Sequence, residues 1–315
     1  MKLSHAKEVF LLSKEIAGFS PNTLRNYRLT LGRLCGHLGP GDPEIDRISV
    51  HDLRGFLHNL QTVPPTADYL IPREQKPLGP KSIRNVHANL SSLWGWAVKE
   101  GLVDKNIAHD IDPPNPKPTV IEPFDEDEIQ ALLKTIGTGS DTTGRLRDKA
   151  MLLFLLDTGV RASELCGLKI GDVDIKEGSA VVKGKGRLDS GQGKERVVLF
   201  GVDTRTAVYS YLLAKGNGSA KAELFTTRQG RPLKRLHLTT HLRRLGQRSS
   251  VEPCFPHKFR HSFAIFYLRN GGDIYTLQRL LGHSSLEMVK RYLSIASTDI
   301  EKAHRRASPV DNLNL

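Results

Sequence analysis

The sequence predicts a mainly α-helical protein in two parts: an N-terminal helical bundle, then a mostly helical unit carrying one small antiparallel β-hairpin. Three observations predict it. Apolar residues recur at three- and four-residue spacing through most of the chain, behind helix-capping signals. Prolines 113, 114, 116, 118 and 123 crowd one segment, which cannot continue a helix and favours an extended spacer. Two runs are β-rich, Ser179–Lys183 and Glu195–Phe200, and the Gly-rich, charged stretch between them reads as a long hairpin tip.

Taken in order, residues 1 to about 20 are amphipathic, with Val9, Phe10, Leu12 and Ile16 as apolar positions. Ser20-Pro21 then marks a helix start, Ser as N-cap and Pro at the first helical position. That helix puts Leu24, Tyr27, Leu31 and Leu34 on one face and Arg25, Arg28 and Arg33 largely elsewhere, until Gly39-Pro40-Gly41 ends it. Another helix runs from near Ser49 to Leu60. After a long loop, Thr62 to Pro80, a helix from Lys81 carries Ile83, Val86, Leu90, Leu93 and Ala97 on one face. Lys81, Arg84 and His87 lie on another face, and Gly101 caps the end. These elements define a first domain over 1–112, with a linker at 113–123.

Asp125, with Glu128 three residues on, is a capping-box pattern that opens the second domain, 124–306. Ile129, Leu132, Leu133 and Ile136 follow at helical spacing. Arg147 to Asp157 reads as a buried helix that Thr158-Gly159 breaks, and Arg161 starts the next. Beyond the hairpin, helices fill Thr204–Leu213 and Thr239–Arg248. The tail, 307–315, is polar and lacks periodicity.

Composition narrows the partners. The 315 residues allow one large domain or two ordinary ones, and a net charge of +12 favours polyanions, nucleic acid before anionic membrane. Cys35, Cys166 and Cys254 are odd in number and far apart, so neither a disulfide framework nor a CxxC metal site is expected, and a reduced cytoplasm fits. No secretory signal pattern opens the chain, and the longest apolar block, Ala150–Leu156, is far short of the roughly 20 residues of a membrane span. His257 and His261, like His237 and His241, stand four apart, a spacing that can hold zinc. Neither pair carries the glutamate of HExxH or a nearby cysteine, so no metal and no cofactor is expected.

Six residues carry the chemistry together. Arg161 and Arg260 offer permanently charged forks of donors, suited to the non-bridging oxygens of a phosphodiester. Arg161 lies near a helix start, where backbone dipoles also favour anions. His257 lies one helical turn before Arg260 on the same face. His257 and His283 can donate to phosphate or move protons near neutral pH. Tyr292 is a candidate nucleophile, since cationic neighbours favour a phenolate. Lys185, at the hairpin tip, is placed to protonate a leaving oxygen. The plainer reading of each alone is ordinary: Tyr292 packing with Met288, Val289 and Ile295, or Arg161 in a surface ion pair with Glu164.

The stretches TGVRASELCGL, VVKGKG with KERVVLF, HKFRHSFA, LLGHSS and KRYLSIAS occur in that order, and on them the second domain resembles the catalytic domain of the tyrosine recombinases, the phage integrase family that includes the Xer-type enzymes. The spacing fits too, 26 residues between His257 and His283 and nine from there to Tyr292. SPNTLRNYRLTL and the segment SIRN to LWGWAVKEGLVDKNIA resemble the family's SAM-like core-binding domain.

The resemblance implies site-specific recombination of duplex DNA through a 3′-phosphotyrosyl intermediate, without ATP or metal. Tyr292 would be the nucleophile, Arg161, His257, Arg260 and His283 would stabilise the transition state, Lys185 would be the general acid and Glu164 would orient the catalytic groups. Arg25, Arg28, Lys81, Arg84 and Lys258 would contact DNA. Two domains would clamp a specific site, in a four-protomer synapse of like chains or with a related recombinase. The chain's end would pack on a neighbouring protomer, in the nucleoid of a prokaryotic cytoplasm. Two departures stand out: a longer hairpin tip that leaves Lys185 and Lys194 as alternative general acids, and Met288 and Val289 where family members often have Thr. The rival activities are relaxation of the type IB topoisomerase kind, and DNA-binding regulation without catalysis.

Overall fold

The structure is a computed structural model that describes residues 1–64, 76–116, 122–184, 195–216, 218–283, 285–287, 289–290, 292, 308 and 310. These residues form eleven α-helices and three strands, and the chain divides into two compact units, Met1–Thr119 and Val120–Leu315. Among them no helix is long and apolar enough to cross a membrane.

The first unit packs α1 (Leu3–Ile16), α2 (Pro21–His37), α3 (Val50–Thr62) and α4 (Pro80–Lys99) around one core. Local chemistry sets the starts: the Ser20 side chain accepts from Thr23 N–H with Pro21 following, and Ser49 and Asp52 form a reciprocal capping box. Tyr27, Leu31 and Leu34 of α2 meet Ile83, Val86, Leu90, Leu93 and Ala97 of α4 in the core. Asn89 donates to Thr30 at 2.8 Å between the same two helices. The α1 stripe differs from expectation. Leu3, Ala6, Phe10 and Leu11 are buried, while Leu12 and Ile16 are exposed. The inward face follows the i, i+3, i+7 row, and positions 12 and 16 fall on the other side of it.

The second unit begins with α5 (Glu126–Gly137), α6 (Thr142–Thr158) and α7 (Ala162–Cys166). An antiparallel sheet follows, in the order β1 (Val173–Asp174), β2 (Ser179–Lys183), β3 (Glu195–Leu199). In its register Ser179 faces Leu199 and Lys183 faces Glu195. The chain continues through α8 (Val202–Lys215), α9 (Arg235–Ser249), α10 (Pro256–Arg269) and α11 (Ile274–Leu281). The main core holds Phe124, Leu152, Phe154, Leu155, Val182, Val198 and Phe259, among others. A smaller cluster joins Phe263, Leu268, Leu277 and Leu281 to Val289 and Tyr292.

Two joints place α10. Gly159 ends α6 with φ +59, and a Cβ there would run into the Phe263 ring, so the turn into Arg161 is open only to glycine. On the other side, Ser262 Oγ accepts the Phe124 N–H at 2.8 Å, pinning α10 to the entry of α5. Lys258 completes this second joint, and here an expectation is corrected. It is only 4% exposed. Its ammonium lies 3.2 Å from both Glu128 oxygens and 4.2 Å from the centre of the Phe124 ring. The charge is consumed by a nearly dry ion pair and a cation–π contact, so Lys258 is an internal staple and not a phosphate contact.

Lys258→Ala should destabilise the second unit by about 2–3 kcal/mol, less than for a fully buried pair because Glu128 keeps some water contact. Lys258→Met, which refills the space beside Phe124, should cost less. Urea unfolding of the three proteins measures both.

Candidate active site

Arg161 is the N-cap of α7, with φ −72 and ψ 152, and Glu164 at the third helical position reaches back to it. Glu164 accepts the Arg161 backbone N–H at 2.7 Å and its Nη1 at 2.8 Å. From β3, Arg196 forks onto the same carboxylate with two bonds of 2.8 Å. Four donors therefore saturate one buried carboxylate. Burial by itself would raise this carboxyl, but the Arg196 and Arg161 hydrogen bonds outweigh it and hold Glu164 below the usual range.

Arg260 projects from α10 and is 2% exposed. It donates to the carbonyls of Gly159 and Leu281, both at 2.7 Å, and to Nε2 of His283 at 2.8 Å. A guanidinium has no acceptor, so His283 Nε2 must accept, and the neutral ring keeps its proton on Nδ1. That Nδ1 is buried with no hydrogen-bond partner among the described residues. Burial, then the charge of Arg161, lowers Arg260 to about 10, which leaves it cationic at neutral pH.

The three arginines also share a target. Arg196 donates to Leu280 O at 2.7 Å, Arg260 to Leu281 O at 2.7 Å and Arg161 to Gly282 O at 3.3 Å. These are consecutive carbonyls at the end of α11, where a helix lacks internal donors and carries partial negative charge.

Tyr292 is 4% exposed, in the small cluster with Phe263 and Val289. Its ring lies 5.3 Å from that of His261, which in turn lies 4.6 Å from that of His257. Tyr292 thus packs as an apolar residue beside the charged cradle. Direct bonds join Arg161 to Glu164 and Arg260 to His283, the two arginines meet at the carbonyls of Leu281 and Gly282, and His257 lies on α10 with Tyr292 packed near His261 of the same helix. Lys185 and Lys194, and most of the tail, lie outside the described residues. Arg25, Arg28, Lys81 and Arg84 are exposed on the first unit, where Arg84 donates to Asn115 at 3.1 Å. Among the described residues no group of three His, Cys, Asp or Glu side chains is arranged to hold a metal, and His241 faces Asp148 at 3.0 Å.

Sequence reasoning missed Arg196. The signal was present in ERVVL: strand alternation puts Arg196 on the inward face with Val198, while Val197 and Leu199 are exposed. An inward arginine on a short strand calls for a buried anion.

Two histidines here are held neutral. His261 is lowered to about 4 by burial, then by the charges of His257 and Arg260. His283 is lowered to about 4 by burial, then by Arg260, Arg161, Arg196 and His257. An unfolded histidine protonates near 6.5. Between that value and about 4 the unfolded chain binds more protons at these two histidines than the fold, so their contribution to stability should drop as pH falls through this window and level off below it. Urea midpoints across the window should fall less steeply for His261→Phe than for wild type, and NMR titration should place the midpoints of His261 and His283 near 4.

Chemically, the site is a cradle of two arginine forks and an imidazole N–H without a partner among the described residues, beside a phenol, with the Glu164 carboxylate already spent. Such a cradle suits an anion with several oxygens. Residues 122–298 match the Phage integrase family, and residues 12–101 match the Phage integrase N-terminal SAM-like domain. The chain is 30% identical to tyrosine recombinase XerD of Mycobacterium leprae over 314 residues, covering 96% of this chain and 95% of that one. It is 29% identical to tyrosine recombinase XerC of Xanthomonas campestris pv. campestris, covering 96% and 88%. In fold it is similar to the Tn1549 transposon integrase solved with transposon right end DNA, at TM-score 0.73 and 19% identity over 99% and 100% of the chains. A lambda integrase dimer bound to a COC′ core site gives TM-score 0.69 at 19% identity over 91% and 97%. With more than half its length matched and a 30% identical relative spanning it, this chain belongs to the phage integrase family of tyrosine recombinases.

Proposed function

We propose that Tyr292 is the nucleophile with which this site-specific DNA recombinase breaks and rejoins its target. The phenol gives up its proton to water, its oxygen attacks the scissile phosphorus, a 3′-phosphotyrosyl bond forms and the bond to the 5′ oxygen breaks. Lys185 or Lys194 gives the leaving oxygen its proton. The 5′-hydroxyl of another strand then reverses the step. The transferred bond keeps its energy in the covalent link, so the reaction runs without ATP.

Arg161 and Arg260 hold the non-bridging oxygens as charge builds, His283 donates from Nδ1, and His257, exposed at the start of α10, adds a further donor. Glu164 orients Arg161. The observation that carries this reading is the fixed cradle: Arg260, 2% exposed, gripped by Gly159, Leu281 and His283, next to an imidazole N–H that has no partner among the described residues.

Residues 1–112 act as a DNA-binding domain whose Arg25, Arg28, Lys81 and Arg84 contact backbone phosphates, and 124–306 act as the catalytic domain. Four protomers, alike or shared with a related recombinase, assemble on two sites in a prokaryotic nucleoid.

A suicide substrate with a nick beside the cleavage position tests the assignment. Wild type should form an SDS-stable protein–DNA adduct, and Tyr292→Phe should bind the same DNA without forming one. An adduct from the Phe variant would place the nucleophile elsewhere.

A further inference from the structure

We infer that Arg196 is a positioning residue of the recombination site: it saturates Glu164 so that Arg161 keeps its donors for the phosphate, and it anchors the end of α11. The inference rests on the reading of Arg161 as a phosphate ligand.

Glu164 is fully buried at its side chain, while that of Arg161 is 35% exposed. A buried carboxylate must be satisfied on both oxygens. Arg196 supplies one bond to each oxygen at 2.8 Å, the backbone of Arg161 supplies a third, and a single Arg161 nitrogen, Nη1, supplies the fourth. Arg161 is thus held by one arm, and its Nη2 reaches only the Gly282 carbonyl, at a loose 3.3 Å. Without Arg196, Glu164 would have vacant lone pairs and an uncompensated charge beside the next available guanidinium. Arg161 would turn into a two-pronged pair with Glu164 and withdraw from the phosphate.

The second contact of Arg196 makes it a joint and not only a counter-ion. Its Nε donates to Leu280 O at 2.7 Å, and its side chain lies flat on Gly282. A Cβ at Gly282 would sit 3.1 Å from Arg196 Cδ and 3.3 Å from Nε, in a backbone of φ +63. Arg196 therefore fixes the turn from which His283 springs, and it stands two residues after Lys194 in sequence, at the foot of the hairpin that bears both candidate general acids. Its three side-chain nitrogens are all bonded within the fold, to both Glu164 oxygens and to Leu280 O.

Adduct formation in single turnover on the nicked substrate, at saturating DNA, tests the inference alongside DNA affinity. Arg196→Met should slow the reaction by about 100-fold with little change in DNA affinity, the scale expected when a catalytic group is misplaced. The decisive arm is the double variant. Adding Glu164→Gln to Arg196→Met removes the unbalanced charge and should restore about tenfold of the lost rate. A purely structural ion pair predicts the opposite, a double variant no faster than the single one. Arg196→Lys, which keeps a cation but cannot fork, should fall between wild type and Arg196→Met, and it decides the matter if Arg196→Met fails to fold. The inference is overturned if either single variant reacts at the wild-type rate, or if the double variant is no faster than Arg196→Met. An inactive wild type would instead sink the nucleophile assignment.

Discussion

The end of one short helix holds the site together. The last carbonyls of α11 have no donors within the helix, and three arginines from three separate elements take them in turn, Arg196 from β3, Arg260 from α10 and Arg161 from the start of α7. Charge-assisted bonds to a helix C-terminus gain from the macrodipole as well as from the hydrogen bonds. The arrangement assembles residues more than a hundred positions apart in the chain. It also explains why α11 can be only eight residues long and still be ordered: its tail is gripped from outside.

Gathering three guanidiniums has an electrostatic consequence. One carboxylate, Glu164, cannot balance them, and Arg260, His261 and His283 are all lowered, each first by burial and then by nearby positive groups. Such a cluster is held in place by the fold around it, and it favours any ligand that brings negative charge. A phosphodiester, with its charge spread over two non-bridging oxygens, is a ligand of that kind.

Much of this was legible in the sequence. Ser20-Pro21, Ser49 and Asp125 marked helix starts because capping is chemistry of one to four adjacent residues. Arg161, Arg260 and His283 were legible because their residue types and spacing are rare in combination. What could not be read were partners distant in sequence. Lys258 read as a DNA contact because Glu128 and Phe124, which absorb its charge, lie some 130 positions away. Arg196 was passed over within a β-rich run, since its meaning depends on Glu164 and Leu280. β1 has two residues, too few to show alternation. In α1 the apolar residues lie on both sides of the helix, and only packing decides which side is inside.

The arginines grip main-chain oxygens on α11, and every amino acid offers the same oxygen. Residues 280 and 281 are therefore free, as far as the cradle is concerned, to change identity, and only their packing in the small cluster restrains them. Gly282 is the exception, because both its backbone angle and the guanidinium lying on it exclude a side chain. The site is in this sense written in shape more than in spelling, and it can survive extensive sequence drift at the helix that holds it together.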